Sequence, residues 1–160
     1  MLRRLAALAF ALSLLGAACS SDDGGSTGVS GVSTGTTGGG AVDVTVQEFA
    51  IVPSSVSAAA GDVTFNVTNE GPDETHEFVV IKTDFAATEL PTKADGSVDE
   101  EADGLEGIDE IEDIAVGDTP SLTVSLEPGS YVFICNIVDE QGGKTVAHYQ
   151  QGMEAAFTVE

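Results

Sequence analysis

Beyond the N-terminal region, four side chains in this chain carry donor atoms suited to a soft or borderline metal ion. The sequence has two histidines, His76 and His148, and two cysteines, of which Cys135 lies far from the N-terminus. Met1 is the initiator, which leaves Met153 as the other methionine. Cys135, His148 and Met153 fall within the last 26 residues, so two imidazoles, a thiol and a thioether could converge on one site.

This donor set predicts a copper site. Two histidines and a cysteine in one plane, with a weak axial methionine, are typical of copper centres that transfer electrons. Thiolate and thioether favour Cu(I), whereas imidazole suits both oxidation states. Zinc is the alternative occupant, and a methionine ligand favours copper over it. Taken singly, a histidine is more often structural and a buried cysteine more often inert, so the prediction depends on the four occurring together.

Apolar and polar residues alternate along several stretches of the chain, which predicts strands. These strands must position the four donor residues. Residues 78–81 and 131–134 are instead continuously apolar, as expected of strands covered on both faces, and residues 157–159 form a short last strand. Glycine and proline turn signals separate the stretches, and several short strands of this kind predict a β-sandwich. The alternating stretches have these apolar faces: Val42, Val44 and Val46; Val63, Phe65 and Val67; Leu122, Val124 and Leu126.

Three stretches resemble the cupredoxin family of copper proteins: residues 73–78, 128–135 and 148–153. That family has a histidine after a turn on an early strand, a cysteine ending a late strand, and a histidine and a methionine in the loop that follows. The Pro-Gly-x-Tyr-x-Phe-x-Cys run and the His-x4-Met spacing are similar to that pattern. The resemblance implies an all-β Greek-key β-sandwich with one type 1 copper ion, held equatorially by His76, Cys135 and His148 and axially by Met153.

Two departures from the family pattern concern the site itself. Twelve residues, 136–147, separate the cysteine from the second histidine, where the family has only a few. Glu77 follows the first histidine, where the family often has an asparagine that helps to fix the site.

A β-hairpin over residues 136–147 would bring Cys135 and His148 together. With its turn at Gln141-Gly142, Asp139 would face Lys144 as an opposite-charge pair, and Cys135 would lie directly opposite His148. Directly opposed residues have Cβ atoms about 4.5–5.5 Å apart, which is close enough to share a metal ion. A turn at Gly142-Gly143 is the alternative, and it would place His148 opposite Ile137 instead.

Residues 84–118, called the acidic segment below, are rich in Asp and Glu and show no clear strand. Leu105, Ile108, Ile111 and Ile114 recur every three residues, which predicts either a short helix or an extended segment packed on the sandwich. Residues 95–101 offer carboxylates to a calcium ion, but their glycine falls at the second position rather than the sixth of an EF-hand loop. We therefore expect a solvated loop there.

The N-terminus predicts export. Arg3 and Arg4 precede an apolar stretch over residues 5–15, which is short for a membrane span and typical of a secretory signal. Small residues lead to Cys19, which resembles the lipobox of bacterial lipoproteins, although Gly16 stands where that motif usually has leucine. Ordinary signal cleavage before Cys19 is the alternative.

Three parts follow from this reading of the chain. We expect residues 1–19 to be a lipoprotein signal peptide with its lipobox, residues 20–40 to be a flexible Ser/Thr/Gly-rich linker, and residues 41–160 to be a cupredoxin-like domain with the acidic segment as an insertion. A linker of this composition buries no core and spans about 25 Å on average. We expect a lipid on Cys19 to hold the domain at the extracytoplasmic face of a bacterial membrane.

Charge limits the partners. The sequence has 27 Asp and Glu against 5 Lys and Arg, a formal net charge of −22. Such a surface repels phosphate, which excludes nucleic acid, and it suits a basic redox partner. The chain has no His-Glu-x-x-His motif and no phosphate-binding loop, and its Gly-x-Ser-x-Gly runs, 24–28 and 31–35, lie in a Ser/Thr/Gly-rich stretch rather than at the end of an apolar strand, so we do not expect an enzyme. We expect a monomeric one-electron carrier; a copper carrier or store, and a metal-free binding module, are the alternatives.

Overall fold

The computed structural model describes residues 39–160, so the predicted signal peptide, Cys19 and most of the predicted linker lie outside the described residues. Within this range no helix is long and apolar enough to cross a membrane. Two short 3-10 helices, Ala87–Glu89 and Tyr149–Gln151, interrupt a chain made mainly of strands. The strands are β1 (Gly40–Gln47), β2 (Ala50–Pro53), β3 (Ser57–Ala58), β4 (Gly61–Gly71), β5 (His76–Lys82), β6 (Glu106–Ile114), β7 (Ser121–Leu126), β8 (Gly129–Ile134), β9 (Val138–Gln141), β10 (Lys144–Ala147) and β11 (Glu154–Val159).

Two sheets pack face to face and form the predicted β-sandwich. One has the strand order β2-β1-β4-β7 and the other β3-β11-β8-β5-β6, while β9 and β10 form a separate hairpin. β1 pairs in parallel with β4, and β8 pairs antiparallel with both β5 and β11. The alternating patterns are confirmed, since Val42, Val44 and Val46 are buried while the residues between them are more exposed.

Four phenylalanines fill the centre of the sandwich. Phe65 on β4 contacts Phe78, Phe133 and Phe157 of the opposite sheet, with ring centroids 5.4, 5.0 and 5.7 Å apart. Aromatic pairs at such distances add about 0.5–1.5 kcal/mol each beyond the area they bury. This packing fixes the distance between the sheets, and with it the position of the strand ends.

The acidic segment covers the outer face of the five-stranded sheet. Its Leu90 and Val98 pack there with Tyr149, in an apolar cluster separate from the core between the sheets. The predicted two-sided burial of residues 78–81 and 131–134 is confirmed, because one side chain faces the core and the next faces this cover. The sheet residues beneath the cover are Val79, Ile81, Val132 and Ile134.

The acidic segment also contains a strand, so the prediction of no clear strand there is wrong. β6 pairs antiparallel with β5, which fits the extended alternative for its isoleucines rather than the helical one. His76 and Phe78 are two residues apart on β5, but their partners Ile114 and Ile111 are three apart on β6. The extra residue of a β-bulge therefore produces the three-residue spacing.

Residues 95–101 contain a tight turn anchored on the protein, and the expectation of a solvated loop is wrong. Thr92 and Val98 pair across the turn, and Val98 is fully buried. Asp95 Oδ1 accepts hydrogen bonds from the N–H and the hydroxyl of Ser97, at 3.1 and 2.7 Å. This carboxylate therefore stabilises the turn, as Asp side chains commonly do.

The hairpin, residues 138–147, forms with the alternative register. Its turn is Gly142-Gly143, so Asp139 faces Val146 and the predicted pairing with Lys144 is wrong. Both glycines have positive φ, 60° and 78°, which two-residue hairpin turns require and which glutamine at position 141 would adopt only with strain.

A backbone hydrogen bond closes the foot of the hairpin. The N–H of His148 donates to the carbonyl of Ile137 at 2.9 Å, as the alternative register requires. The predicted direct opposition of Cys135 to His148 is therefore also wrong, although the two side chains do meet by another route.

Candidate metal centre

The predicted ligands gather where three strands of one sheet end or begin. β8 lies between β5 and β11 and runs antiparallel to both, so its end is next to the beginnings of the other two. His76 begins β5, Cys135 directly follows β8, and Met153 directly precedes β11. His148 lies between the hairpin and the 3-10 helix Tyr149–Gln151. All four residues are 0% exposed.

Three of the donor atoms form a small triangle. Nδ1 of His76 and Nδ1 of His148 are 3.3 Å apart, and Cys135 Sγ lies 3.4 Å from His148 Nδ1 and 3.9 Å from His76 Nδ1. A metal ion at the centre of a trigonal plane, with bonds of about 2.0 Å to nitrogen and 2.3 Å to sulfur, needs donors about 3.5–3.7 Å apart. The residues present therefore fit a trigonal metal ion with little movement.

Burial sets the protonation of two donors. It raises the pKa of the Cys135 thiol to about 12, so a metal ion must displace the thiol proton to bind. Burial, and then the neighbouring His148, lowers the pKa of His76. A lowered pKa keeps the imidazole of His76 neutral, which is the form that binds metals.

Backbone hydrogen bonds fix the cysteine and the methionine relative to the second histidine. Cys135 N–H donates to the carbonyl of Met153, and Met153 N–H donates to the carbonyl of His148, both at 3.2 Å. Gly152 makes the turn between them with φ 114°, a conformation that glycine adopts readily. Met153 packs in the same apolar cluster as Cys135, and it remains the predicted axial ligand.

Glu77, which departs from the family pattern, still connects the two ligand-bearing strands. Its N–H donates to Cys135 Sγ at 3.4 Å, and its Oε1 accepts a hydrogen bond from Asn136 N–H at 2.5 Å. Burial, together with nearby acidic residues, raises the pKa of Glu77 to about 7 against the opposing effect of the Asn136 bond. A glutamate can therefore tie the strand of the first histidine to the residue after the cysteine.

Asn136, which the sequence did not single out, joins the cysteine to the acidic segment. Its Oδ1 accepts a hydrogen bond from Val98 N–H at 2.6 Å, and its Nδ2 donates to the carbonyl of Val98 at 3.1 Å and to Glu100 Oε1 at 2.7 Å. With its side-chain amide bonded on both sides, Asn136 fixes the chain directly after Cys135.

Tyr149 makes the corresponding link next to the second histidine. Its hydroxyl accepts a hydrogen bond from Leu90 N–H at 3.0 Å and donates to the carbonyl of Ala87 at 2.8 Å. The residues that follow Cys135 and His148 are thus both bonded to the acidic segment.

Carboxylates face the outer edges of both imidazoles, and sequence reasoning missed them. Asp139 Oδ2 and Glu74 Oε2 lie 3.0 and 3.1 Å from His148 Nε2, while Glu48 Oε2 lies 3.9 Å from His76 Nε2. In a chain with 27 acidic residues, no sequence signal separates a carboxylate that faces a ligand from one that faces water.

No protein-family model and no curated protein matches this sequence. Among solved structures, Na-dithionite reduced auracyanin from Roseiflexus castenholzii aligns with a TM-score of 0.54 at 19% identity, over 78% of this chain and 98% of that one. Auracyanin B aligns with a TM-score of 0.51 at 21% identity, over 77% of this chain and 96% of that one. Auracyanin A from Chloroflexus aurantiacus, described as a "blue" copper protein, gives 0.49 at 17% identity, over 76% and 100%.

The chain has the cupredoxin fold, as its motifs implied. The two auracyanins with TM-scores of 0.54 and 0.51 share its architecture over nearly their whole length. The nature of the site follows from this chain's own residues. His76, Cys135 and His148 are buried and in mutual contact, and with Met153 beside them they are the donor set of a type 1 copper centre.

Proposed function

We propose that this protein is a copper-binding cupredoxin that carries one electron at a time between partner proteins. The observation that carries the proposal is the buried triangle of two Nδ1 atoms and one Sγ atom, with separations of 3.3, 3.4 and 3.9 Å. A copper ion held there would supply the electron by changing between Cu(I) and Cu(II). Thiolate suits the first state and imidazole suits both, so one set of ligands serves the two.

The residues around the site favour electron transfer because they leave the ligands little freedom to move. Cys135 and Met153 are joined through their backbones at strand ends, and Cys135 Sγ accepts the N–H of Glu77. Copper delivery to another protein would instead favour an exposed and flexible ligand loop. His148 lies at the foot of the long insertion and is completely buried, which supports electron transfer over copper delivery.

The location and the partner are part of the same proposal. The signal-like N-terminus, Cys19 and the Ser/Thr/Gly-rich linker support a lipid-anchored domain at the extracytoplasmic membrane surface. The net charge of −22 supports a basic partner, because opposite charge raises the association rate and salt lowers it again. A monomeric carrier with an exposed acidic surface suits such brief encounters.

The visible spectrum of the purified protein with added Cu(II), beside that of a Cys135→Ser variant, tests the function. We expect an intense blue thiolate-to-copper band that disappears in the variant, because serine removes the sulfur donor and leaves the fold intact. A pale protein that binds copper would favour the carrier or store. A colourless protein that binds none would favour the metal-free module.

A further inference from the structure

Both edges of the His148 imidazole are in use. Its Nδ1 faces His76 and Cys135. On the opposite edge, Nε2 makes a hydrogen bond of 3.0 Å with Asp139 Oδ2. Glu74 Oε2 lies 3.1 Å from the same Nε2 atom. An imidazole with one proton can donate at only one nitrogen, so the partner at Nε2 determines what Nδ1 can do.

The hairpin brings both carboxylates to this nitrogen. Asp139 lies on β9, and His148 follows β10 at the foot of the same hairpin. Gln141, also on β9, donates from Nε2 to Glu74 Oε1 at 2.5 Å and so holds the second carboxylate in place. The twelve residues between the cysteine and the second histidine therefore form a cover for the outer edge of His148.

We propose that Asp139 and Glu74 are positioning residues for His148, which keep its proton on Nε2 and direct the lone pair of Nδ1 at the metal ion. Asp139 accepts the N–H bond, and Glu74 adds a second negative charge at the same nitrogen. The inference rests on the proposed function, since it takes Nδ1 of His148 to be a metal donor. Carboxylates in this position raise the basicity of a histidine ligand and fix the orientation of its ring.

The burial of one carboxylate oxygen of Glu74 supports the same assignment. Its Oε2 is buried and accepts no hydrogen bond from any of residues 39–160, which is costly for a carboxylate oxygen unless positive charge lies nearby. A metal ion on Nδ1 would make the Nε2–H group of His148 more positive, and that group faces Glu74 directly.

The first histidine provides an internal contrast. Glu48 Oε2 is 3.9 Å from His76 Nε2, too far for a hydrogen bond. Glu48 instead uses its Oε1 to accept the N–H groups of Asp73 and Glu74. The two imidazoles are therefore unequal: His148 has a hydrogen-bonded carboxylate and a second charge, and His76 has one carboxylate at a distance.

The functional consequence is a preference for the more positive state of the metal. Two negative charges beside a ligand stabilise Cu(II) more than Cu(I), so removing them should raise the reduction potential. Loss of such outer partners typically costs 10- to 100-fold in metal affinity. If the loss falls on Cu(II) alone, each tenfold corresponds to about 59 mV for a one-electron couple.

The test compares Asp139→Asn, Glu74→Gln and their double variant with Glu140→Gln in the copper-loaded protein. Glu140 is exposed, lies beside Asp139 and bonds Thr145 rather than His148, so its variant measures the effect of charge alone. We expect the double variant to lose at least tenfold in Cu(II) affinity and to rise in potential by about 59 mV or more, with a much smaller rise in Glu140→Gln. Equal rises in both would overturn the proposal.

A second measurement separates this proposal from the proposed function. Nitrogen-15 NMR of the metal-free protein reports which nitrogen of His148 carries the proton, whether or not copper binds. We expect the Nε2–H tautomer of His148 in the native protein and a mixture of the Nε2–H and Nδ1–H tautomers in Asp139→Ala. The Nδ1–H tautomer in the native protein would overturn the proposal. Titration with Zn²⁺ should show one site. A second equivalent of Zn²⁺, lost in Glu74→Gln, would make these carboxylates metal ligands and also overturn it.

Discussion

The acidic segment and the hairpin both lie outside the two sheets, and they support the metal centre in opposite ways. The acidic segment packs Leu90 and Val98 on the outer face of a sheet and reaches the site through Asn136. The hairpin buries only Ala147 among its own residues and reaches the site through a polar contact from Asp139. One is an apolar cover with a charged exterior, and the other is a polar cap.

The difference shows that charge density does not reveal which segment is structural. In the acidic segment, a few apolar side chains face the sheet and the carboxylates face water, so a high net charge coexists with firm anchoring. The hairpin is less acidic but has little to bury. We therefore expect changes in the acidic segment to alter stability, and changes in the hairpin to alter the metal site more than the fold.

The largest expected effect is on the apolar contact of the acidic segment. Leu90→Ala should lower the free energy of unfolding of the metal-free protein by about 3 kcal/mol. Leu90 is only 5% exposed, so truncating its side chain leaves a cavity against the sheet. Urea denaturation measures this free energy. Val146→Ala, at a half-buried position of the hairpin, is the matched control and should cost less than 1 kcal/mol. Similar losses in the two variants would contradict the comparison.

The next effect concerns the amide that joins the acidic segment to the cysteine loop. Asn136→Ala removes one acceptor and two donor contacts and leaves the N–H of Val98 unpaired, which should cost about 2 kcal/mol. The copper band should also shift, because the chain after Cys135 loses its fixed position. A variant with native stability would show that the apolar contacts alone hold the segment.

Hydrogen exchange of the metal-free protein should separate the two regions without mutation. The amides of the hairpin should exchange at least tenfold faster than those of β6, a difference of about 1.4 kcal/mol in opening free energy, since few of its residues are buried. Zn²⁺ should slow the hairpin more than the acidic segment, because His148 at its foot would become a ligand. Equal protection of both regions in the metal-free protein would remove the distinction.

The smallest expected effect is at the tip of the hairpin. Gly143 has φ 78°, and an added Cβ would meet no atom within 4 Å, so Gly143→Ala should cost only the backbone strain of about 1 kcal/mol. Gly107→Ala on β6 is the control, because its Cβ is equally free and its φ is not positive. Gly107→Ala should leave thermal stability unchanged or slightly higher. If it lowered stability as much as Gly143→Ala, backbone strain would not be the cause of the loss in Gly143→Ala.

The sandwich and the ligands could be predicted because each leaves a simple trace in the sequence. Alternating apolar residues mark strands with one buried face, as Val42, Val44 and Val46 on β1 show. Histidine and cysteine are rare in this chain, so their positions carried information. The continuous run at 131–134 even implied a cover over the outer face of the sheet, although not which residues supply it.

The remaining features depend on contacts between residues distant in sequence. Val98 is one apolar residue among many charged ones, and only the folded chain shows that it lies on the sheet. The role of Asp139 depends on the hairpin register, for which two turns were open. The wrong register placed it opposite Lys144, whereas in the structure it lies opposite Val146 and its side chain bonds His148. The bulges in the pairing of β5 with β6 give the isoleucines of β6 a spacing of three residues instead of two. The sequence pattern therefore did not identify β6 as a strand.

The hydrogen bond from His148 to Ile137 that closes the foot of the hairpin has a consequence for how such chains can vary. It joins the two ends of the insertion to each other at 2.9 Å, so the distance between the ligands in space is independent of their distance along the chain. A hairpin two residues shorter or longer at its tip would leave both ligands where they are. The number of residues between the two ligands can thus vary, while their arrangement in space is fixed.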